Sequence, residues 1–196
     1  MPAVRCLAAQ DIPAVATIVS ALPEHFTEDV AGQVRRDATG HDGWVLTDAD
    51  QIVAFAIAAR KSAAAAEILW MAVDPGRRGR RYGMCCSPIP LDDLGAAGVS
   101  VVEVKTLDRS ASYPPYESTC AFWGRNGFVQ IDTIDPLPGW QQGNPAAIYV
   151  AALRPSGNGQ YSIPAASLVV PRRRLGDCAV AGPSSSRCAG TTDRAG

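Results

Sequence analysis

The stretch AEILWMAVDPGRRGRRYG, residues 66–83, decides how the rest of the chain is read. Its first eight residues are apolar except Glu67 and show no polar alternation, which is the composition of a central strand covered on both faces. Pro75 stops that strand. RGRRYG at 78–83 then supplies a turn of glycine and arginine ahead of a predicted helical segment. A strand that runs through a turn into a helix leaves unpaired backbone N–H groups at the helix start. With the helix dipole, these donors suit a pyrophosphate, and glycine allows it to approach the backbone without meeting a Cβ atom.

Working outward, the hydrophobic period changes along the chain in a definite order. AVRCLAA at 3–9 reads as a first strand. Asp11 is placed to cap a helix with Pro13 in its first turn, and Pro23 ends that helix. A second amphipathic helix is predicted over 27–39, where Val30 and Val34 stand one turn apart. GWVLTD and QIVAFAIAAR form a hairpin across a short polar turn. After the 66–75 strand, GVSVVEVKTL reads as another buried strand, and YESTCAFWGRNGF as a helix closed by Gly127, the residue type that favours a left-handed cap. FVQIDTID and AAIYVAAL add two strands joined by PLPGWQQGNP. Pro88 and Pro90 fall where a helix should follow the arginine turn, and an interior proline costs about 3 kcal/mol. Only a short turn near 82–87 and a second helical piece near 91–97 are therefore expected. This order predicts one α/β domain over 1–154, with a mixed, largely antiparallel sheet of six to seven strands flanked by helices.

Residues 155–196 differ in composition, being rich in Gly, Ser, Pro, Ala and Arg with Tyr161 as their one aromatic. Such a segment buries little apolar area and is expected to be a flexible tail. Hydrophobic residues make up 47% of the 196 and the formal net charge is −1, so the balance argues against a protein built to neutralise nucleic-acid phosphates. No apolar run reaches the roughly 18 residues of a membrane span, and the N-terminus lacks the pattern of a secretion signal. The six cysteines contain no CxxC pair and the two histidines, His25 and His41, stand apart, so no metal site is expected. Adjacent Cys85 and Cys86 read as small hydrophobes, and unpaired thiols point to the cytoplasm.

AEILWMAVDPGRRGRRYG resembles the acetyl-CoA-binding motif of the GNAT superfamily of N-acetyltransferases, in which a strand leads into an Arg/Gln-x-x-Gly-x-Gly/Ala turn and a helix. TCAFWGRNGF is similar to a later helix of that family. The resemblance covers roughly residues 3–153 and implies a sheet whose central strand pair splays apart, leaving a slot between residues near 71–73 and those near 104–107. It implies acetyl-CoA as co-substrate and an amine of a small molecule or protein as acceptor, with a homodimer among the assemblies the family adopts. Met71, Ala72 and Val73 would lend backbone groups to the pantetheine arm, and the Val73 N–H would serve the oxyanion. Arg78 takes the Arg/Gln position, and Gly79, Arg80, Arg81, Tyr82 and Gly83 would surround the pyrophosphate. The first glycine of the pattern is Arg81 here.

Acetyl transfer needs an amine freed of its proton, a stabilised oxyanion and an acid for the departing thiolate. Glu67 occupies the position of a catalytic glutamate in histone-acetyltransferase-like members and is the candidate base. The position often held by a tyrosine acid is Trp123, whose indole does not titrate usefully, which leaves Tyr113 and Tyr116 as candidate acids. Glu24 with His25 is a weaker acid–base pair, and Cys120 would need a histidine beside it to act as a nucleophile. Trp140 and the 22–40, 108–116 and 135–146 segments are expected to line the acceptor side. Arg81, Pro88, Pro90 and Trp123 motivate an alternative, a catalytically weak or inactive acyl-CoA-binding module of the same fold.

Overall fold

The computed structural model describes residues 2–78, 82, 88–155, 161–162 and 179–180. Gly79, Arg80, Arg81, Gly83, Cys85, Cys86 and most of the 155–196 segment lie outside the described residues.

Seven strands form the continuous path of the main sheet: β1 (Ala3–Cys6), β2 (Asp42–Asp48), β3 (Gln51–Arg60), β4 (Ala65–Val73), β5 (Val101–Leu107), β6 (Val129–Ile134) and β7 (Ala146–Ala152). Their spatial order is β1-β2-β3-β4-β5-β7-β6. Only β4 and β5 run parallel; the other neighbours are antiparallel. Helices α1 (Ile12–Ser20) and α2 (Val30–Gly40) cover one face, and α3 (Pro88–Ala96) and α4 (Pro114–Arg125) the other. Beyond β7 lie the short strands β8 (Arg154–Pro155) and β9 (Tyr161–Ser162), which pair with each other, and β10 (Ala179–Val180), which pairs with β4. The expected mixed, largely antiparallel sheet between helices is what the chain forms.

Each face has its own apolar core. Val15, Ile18, Val19 and Leu22 from α1 and Val30, Val34 and Ala38 at α2 meet Phe55, Ile57, Trp70 and Ala72 of the sheet. On the other face Leu91, Leu94, Cys120, Phe122 and Trp123 meet Ile68, Met71, Val102 and Val104. Burying both faces of β4 explains its lack of alternation. Two indole N–H groups tie helices to strands: Trp70 Nε1 donates to Asp37 Oδ2 on α2, and Trp44 Nε1 to Asp93 Oδ2 on α3, both at 2.6 Å.

One local expectation is corrected, and another shifts at its boundary. Asp11 does not cap α1. Its carboxylate instead accepts from Ala8 N at 2.8 Å and from both Arg5 terminal nitrogens at 2.6 and 2.9 Å. That guanidinium, chiefly by hydrogen bonding, holds the Asp11 carboxyl below the usual carboxylate range. The helical piece expected near 91–97 spans Pro88–Ala96, so both Pro88 and Pro90 lie in the first turn of its described residues. The first N–H groups of a helix have no intrahelical acceptor, so proline loses nothing there.

The central strands part where β4 carries an extra residue. Ile57 of β3 faces Trp70 and Ala58 faces Ile68, which leaves Leu69 as a bulge on β4. The bulge also puts Leu69 and Trp70 on the same face. A bulge bends its strand and increases local twist. The β4–β5 ladder ends at Ile68–Val104, while β5 stays paired with β7 as far as Leu107–Ala146. Past Leu69, then, β4 turns away from β5.

Candidate active site

At the Leu107 end of β5 lies a cleft of about 410 Å³. Its walls come from the α1–α2 connection (Glu24, His25, Phe26), the end of β5 and the turn after it (Leu107, Ala111), the start of α4 (Tyr113, Tyr116) and the β6–β7 loop (Trp140, Asn144). These are the three segments from which the sequence reading assembles an acceptor pocket. They converge because β5 ends at Leu107, α4 starts at Pro114, and the β6–β7 loop is bound to the same end of the sheet by Asp108 N donating to Pro145 O at 2.8 Å.

Tyr116 anchors this corner. Its hydroxyl donates to His25 O at 2.7 Å, across 91 residues of chain, and its ring lies 5.2 Å from the imidazole. Burial pushes the phenol pKa well above its ordinary value, with Tyr113 adding to the shift. A hydroxyl committed to a carbonyl and raised in this way is poorly suited to protonate a thiolate. Tyr113 is 43% exposed and opens into the cleft, so of the two candidate acids it is the one free to meet a bound molecule.

Glu24 and His25 sit together at the wall. His25 Nδ1 is 3.3 Å from Glu24 Oε1, and Arg78 Nη1 is 3.4 Å from the same oxygen. Burial pushes the imidazole pKa down and the Arg78 charge adds to the effect, while Glu24 opposes it. The ring is therefore neutral near pH 7. The Glu24 carboxyl is held below its ordinary value, first by a backbone hydrogen bond and then by the charges beside it. Arg78 follows a 3-10 turn, Pro75–Arg77, in which Asp74 Oδ1 accepts from Gly76 N at 2.8 Å. Its Nε and Nη2 are shielded and have no hydrogen-bond partner among the described residues.

Glu67 is placed elsewhere. It is fully buried and absent from the cleft wall, with Lys61 Nζ on one carboxylate oxygen and Lys105 Nζ on the other, each at 3.0 Å. Lys105 also approaches Glu103 at 3.6 Å. Glu67 faces Glu103 across the parallel ladder, and the period of two puts Lys105 on the same face as Glu103. The lysine partners are the signal that reading Glu67 alone omits.

Met71, Ala72 and Val73 lie on β4 just past the bulge, where the strand has left β5. The free side of Ala72 and Met71 is met by Ala179 and Val180 of β10. Tyr82 is buried, and its hydroxyl donates to the Asp48 carboxylate. Trp123 lies in the α3/α4-side core, with its ring 4.8 Å from Phe128, not in the cleft. Cys120 donates to Leu107 O at 3.4 Å, and burial raises its thiol pKa. No group of metal-ligating side chains occurs among the described residues, and no described helix is long and apolar enough to cross a membrane.

No protein-family model matches this sequence, and no curated protein matches it. Solved structures do. One is a protein from Desulfovibrio desulfuricans assigned to the GNAT family of acetyltransferases, 19% identical, with a TM-score of 0.68 over 78% of this chain and 99% of that one. Another is the ribosomal-protein-S18-alanine N-acetyltransferase from Escherichia coli, 19% identical, with a TM-score of 0.61 over 80% and 97%. An aminoglycoside 6'-N-acetyltransferase complexed with coenzyme A is 14% identical, with a TM-score of 0.61 over 79% and 99%. The chain has the fold of the GNAT acetyltransferases, as the two sequence motifs implied.

Proposed function

We propose that the protein is an acetyl-CoA-dependent N-acetyltransferase that moves the acetyl group directly to an amine of a small molecule or protein. The observation that carries this reading is the break of the β4–β5 ladder at Ile68–Val104, with a cleft at the Leu107 end of β5. Past the end of that ladder the β4 edge at Met71, Ala72 and Val73 no longer pairs with β5, and an extended pantetheine arm would pair with it in place of β10. Arg78, with two shielded nitrogens unpartnered among the described residues, suits the pyrophosphate together with the 79–83 turn. Aminoglycoside and ribosomal-protein acceptors among the structural neighbours fit an amine as the acceptor class. The free thiols Cys6 and Cys120 fit a cytoplasmic protein, and edge strand β6, with Val129 and Ile131 exposed, is the surface on which a homodimer would form.

The experiment is to mix the protein with acetyl-CoA and a panel of amines and to follow CoA release, with calorimetry of acetyl-CoA binding alongside. Turnover of at least one amine is expected. Binding without turnover would leave the acyl-CoA-binding module, and no binding would end both readings. Glu67→Gln separates two roles for that residue. Removing its charge leaves Lys105 buried without its main partner, and a broken buried pair costs about 3–5 kcal/mol. We expect a large fall in Tm with the pH profile of the surviving activity unchanged. A lower rate at neutral pH with Tm intact would restore Glu67 as the base.

A further inference from the structure

Among the described residues, Glu24 is the one charged side chain that lines the cleft; beside it stand the neutral imidazole of His25 and the polar Thr27 and Asn144, and most of the remaining wall is aromatic or apolar, with Phe26, Leu107, Tyr113 and Trp140. A pocket of this composition pays for desolvating a cation only if a carboxylate meets it. Aromatic faces add attraction for that cation and for an apolar body. The carboxylate is engaged by Arg78 at 3.4 Å, a contact that bridges 54 residues and reaches from the acceptor side to the arginine turn. A guanidinium pairs better with a phosphate that it can grip in two places than with one carboxylate oxygen at 3.4 Å.

Building on the acetyltransferase reading above, we propose that Glu24 anchors the ammonium of the acceptor, that Arg78 masks it until the cofactor's pyrophosphate draws the guanidinium away, and that the acceptor class is therefore a monocationic primary amine carried on an aromatic or apolar body. The reaction balances in the ordinary way. The ammonium held at Glu24 loses a proton to solvent, and the nitrogen lone pair attacks the thioester carbonyl carbon. A C–N bond forms, the C–S bond breaks, and the thiolate takes up a proton as the amide nitrogen gives one to solvent. Glu24 binds in this scheme and does not need to titrate. An acceptor bearing its own carboxylate next to the amine would set that charge against Glu24 and be rejected.

The test uses the full chain, with 2-phenylethylamine as probe and phenylalanine as its carboxylated counterpart. Acetyl-CoA-dependent CoA release is expected to favour 2-phenylethylamine by about tenfold or more in kcat/KM. Glu24→Gln is expected to raise the KM for 2-phenylethylamine about tenfold or more, with a much smaller change in kcat and no weakening of acetyl-CoA binding. Calorimetry supplies a second readout. The unmodified chain should bind 2-phenylethylamine markedly tighter with CoA present, and Arg78→Gln should bind it without CoA. If acetyl-CoA binds and amines are acetylated but Glu24→Gln leaves the KM unchanged, or phenylalanine serves equally well, this inference fails while the acetyltransferase reading stands. If no acetyl-CoA binds and no amine is acetylated, both fall.

Discussion

His25 shows how a residue's surroundings set what it can do. Its side chain is 3% exposed, Tyr116 lies against its ring, and Glu24 and Arg78 are the charges nearest it, with Tyr113 the further titratable group on the α4 side. Because burial lowers its folded-state pKa, the unfolded chain binds a proton at this site at higher pH than the folded chain does. Stability is then fully present above the ordinary histidine value near 6.5, and is lost as pH falls from there toward the folded pKa. Thermal denaturation between pH 8 and pH 5 should show this fall, and His25→Phe should flatten it; an equally steep fall in the variant would place its source elsewhere. At this scale the sequence is a partial guide. Glu24, His25, Tyr113, Tyr116 and Trp140 are all named by reading the chain, and the cleft gathers them. Their roles were less legible: that Tyr116 gives its hydroxyl to His25 O, or that Glu67 sits between two lysines, depends on contacts made across many residues of chain.

Strands and helices were the more readable level, because each writes a period or a stop signal locally. The unbroken apolar run of β4 follows from burial on both faces, and the helical piece expected after the prolines is present but takes both of them into its first described turn. Whether proline is tolerated depends on which turn of a helix holds it, and in the described residues of α3 both stand in the first. The bulge at Leu69 carries no sequence mark, yet it coincides with the end of the β4–β5 ladder. Gly127 is the clearest success. It adopts φ of 81°, and Phe128 N donates to Trp123 O at 3.1 Å, closing α4 with the left-handed cap expected of it. An alanine there keeps the hydrogen bond only by holding a Cβ in a left-handed conformation. Gly127→Ala should therefore cost about 1 kcal/mol, read as a lower midpoint in denaturant at unchanged slope. A neutral result would mean that the α4 end relaxes to another closure.

For the whole molecule, the seven-stranded order and the helix layers follow from an element order that only a few α/β topologies can satisfy. What the tail does is not written that way, since its composition signals little apolar burial and says nothing about backbone pairing. Yet Ala179 and Val180 pair with Ala72 and Met71, on the edge of β4 that faces the parted strand. An extended pantetheine arm using the same backbone groups would have to displace them. The chain would then compete with its own cofactor, and the apparent dissociation constant would rise by the inverse of the fraction in which β10 is undocked. Val180→Pro tests this in the full-length protein, because proline removes the backbone donor at that position while leaving the rest of the chain intact. We expect acetyl-CoA to bind this variant at least about threefold more tightly by calorimetry, and to raise its Tm by more than that of the unmodified protein at equal cofactor concentration. An unchanged dissociation constant would show that β10 and the cofactor do not contend for the edge of β4.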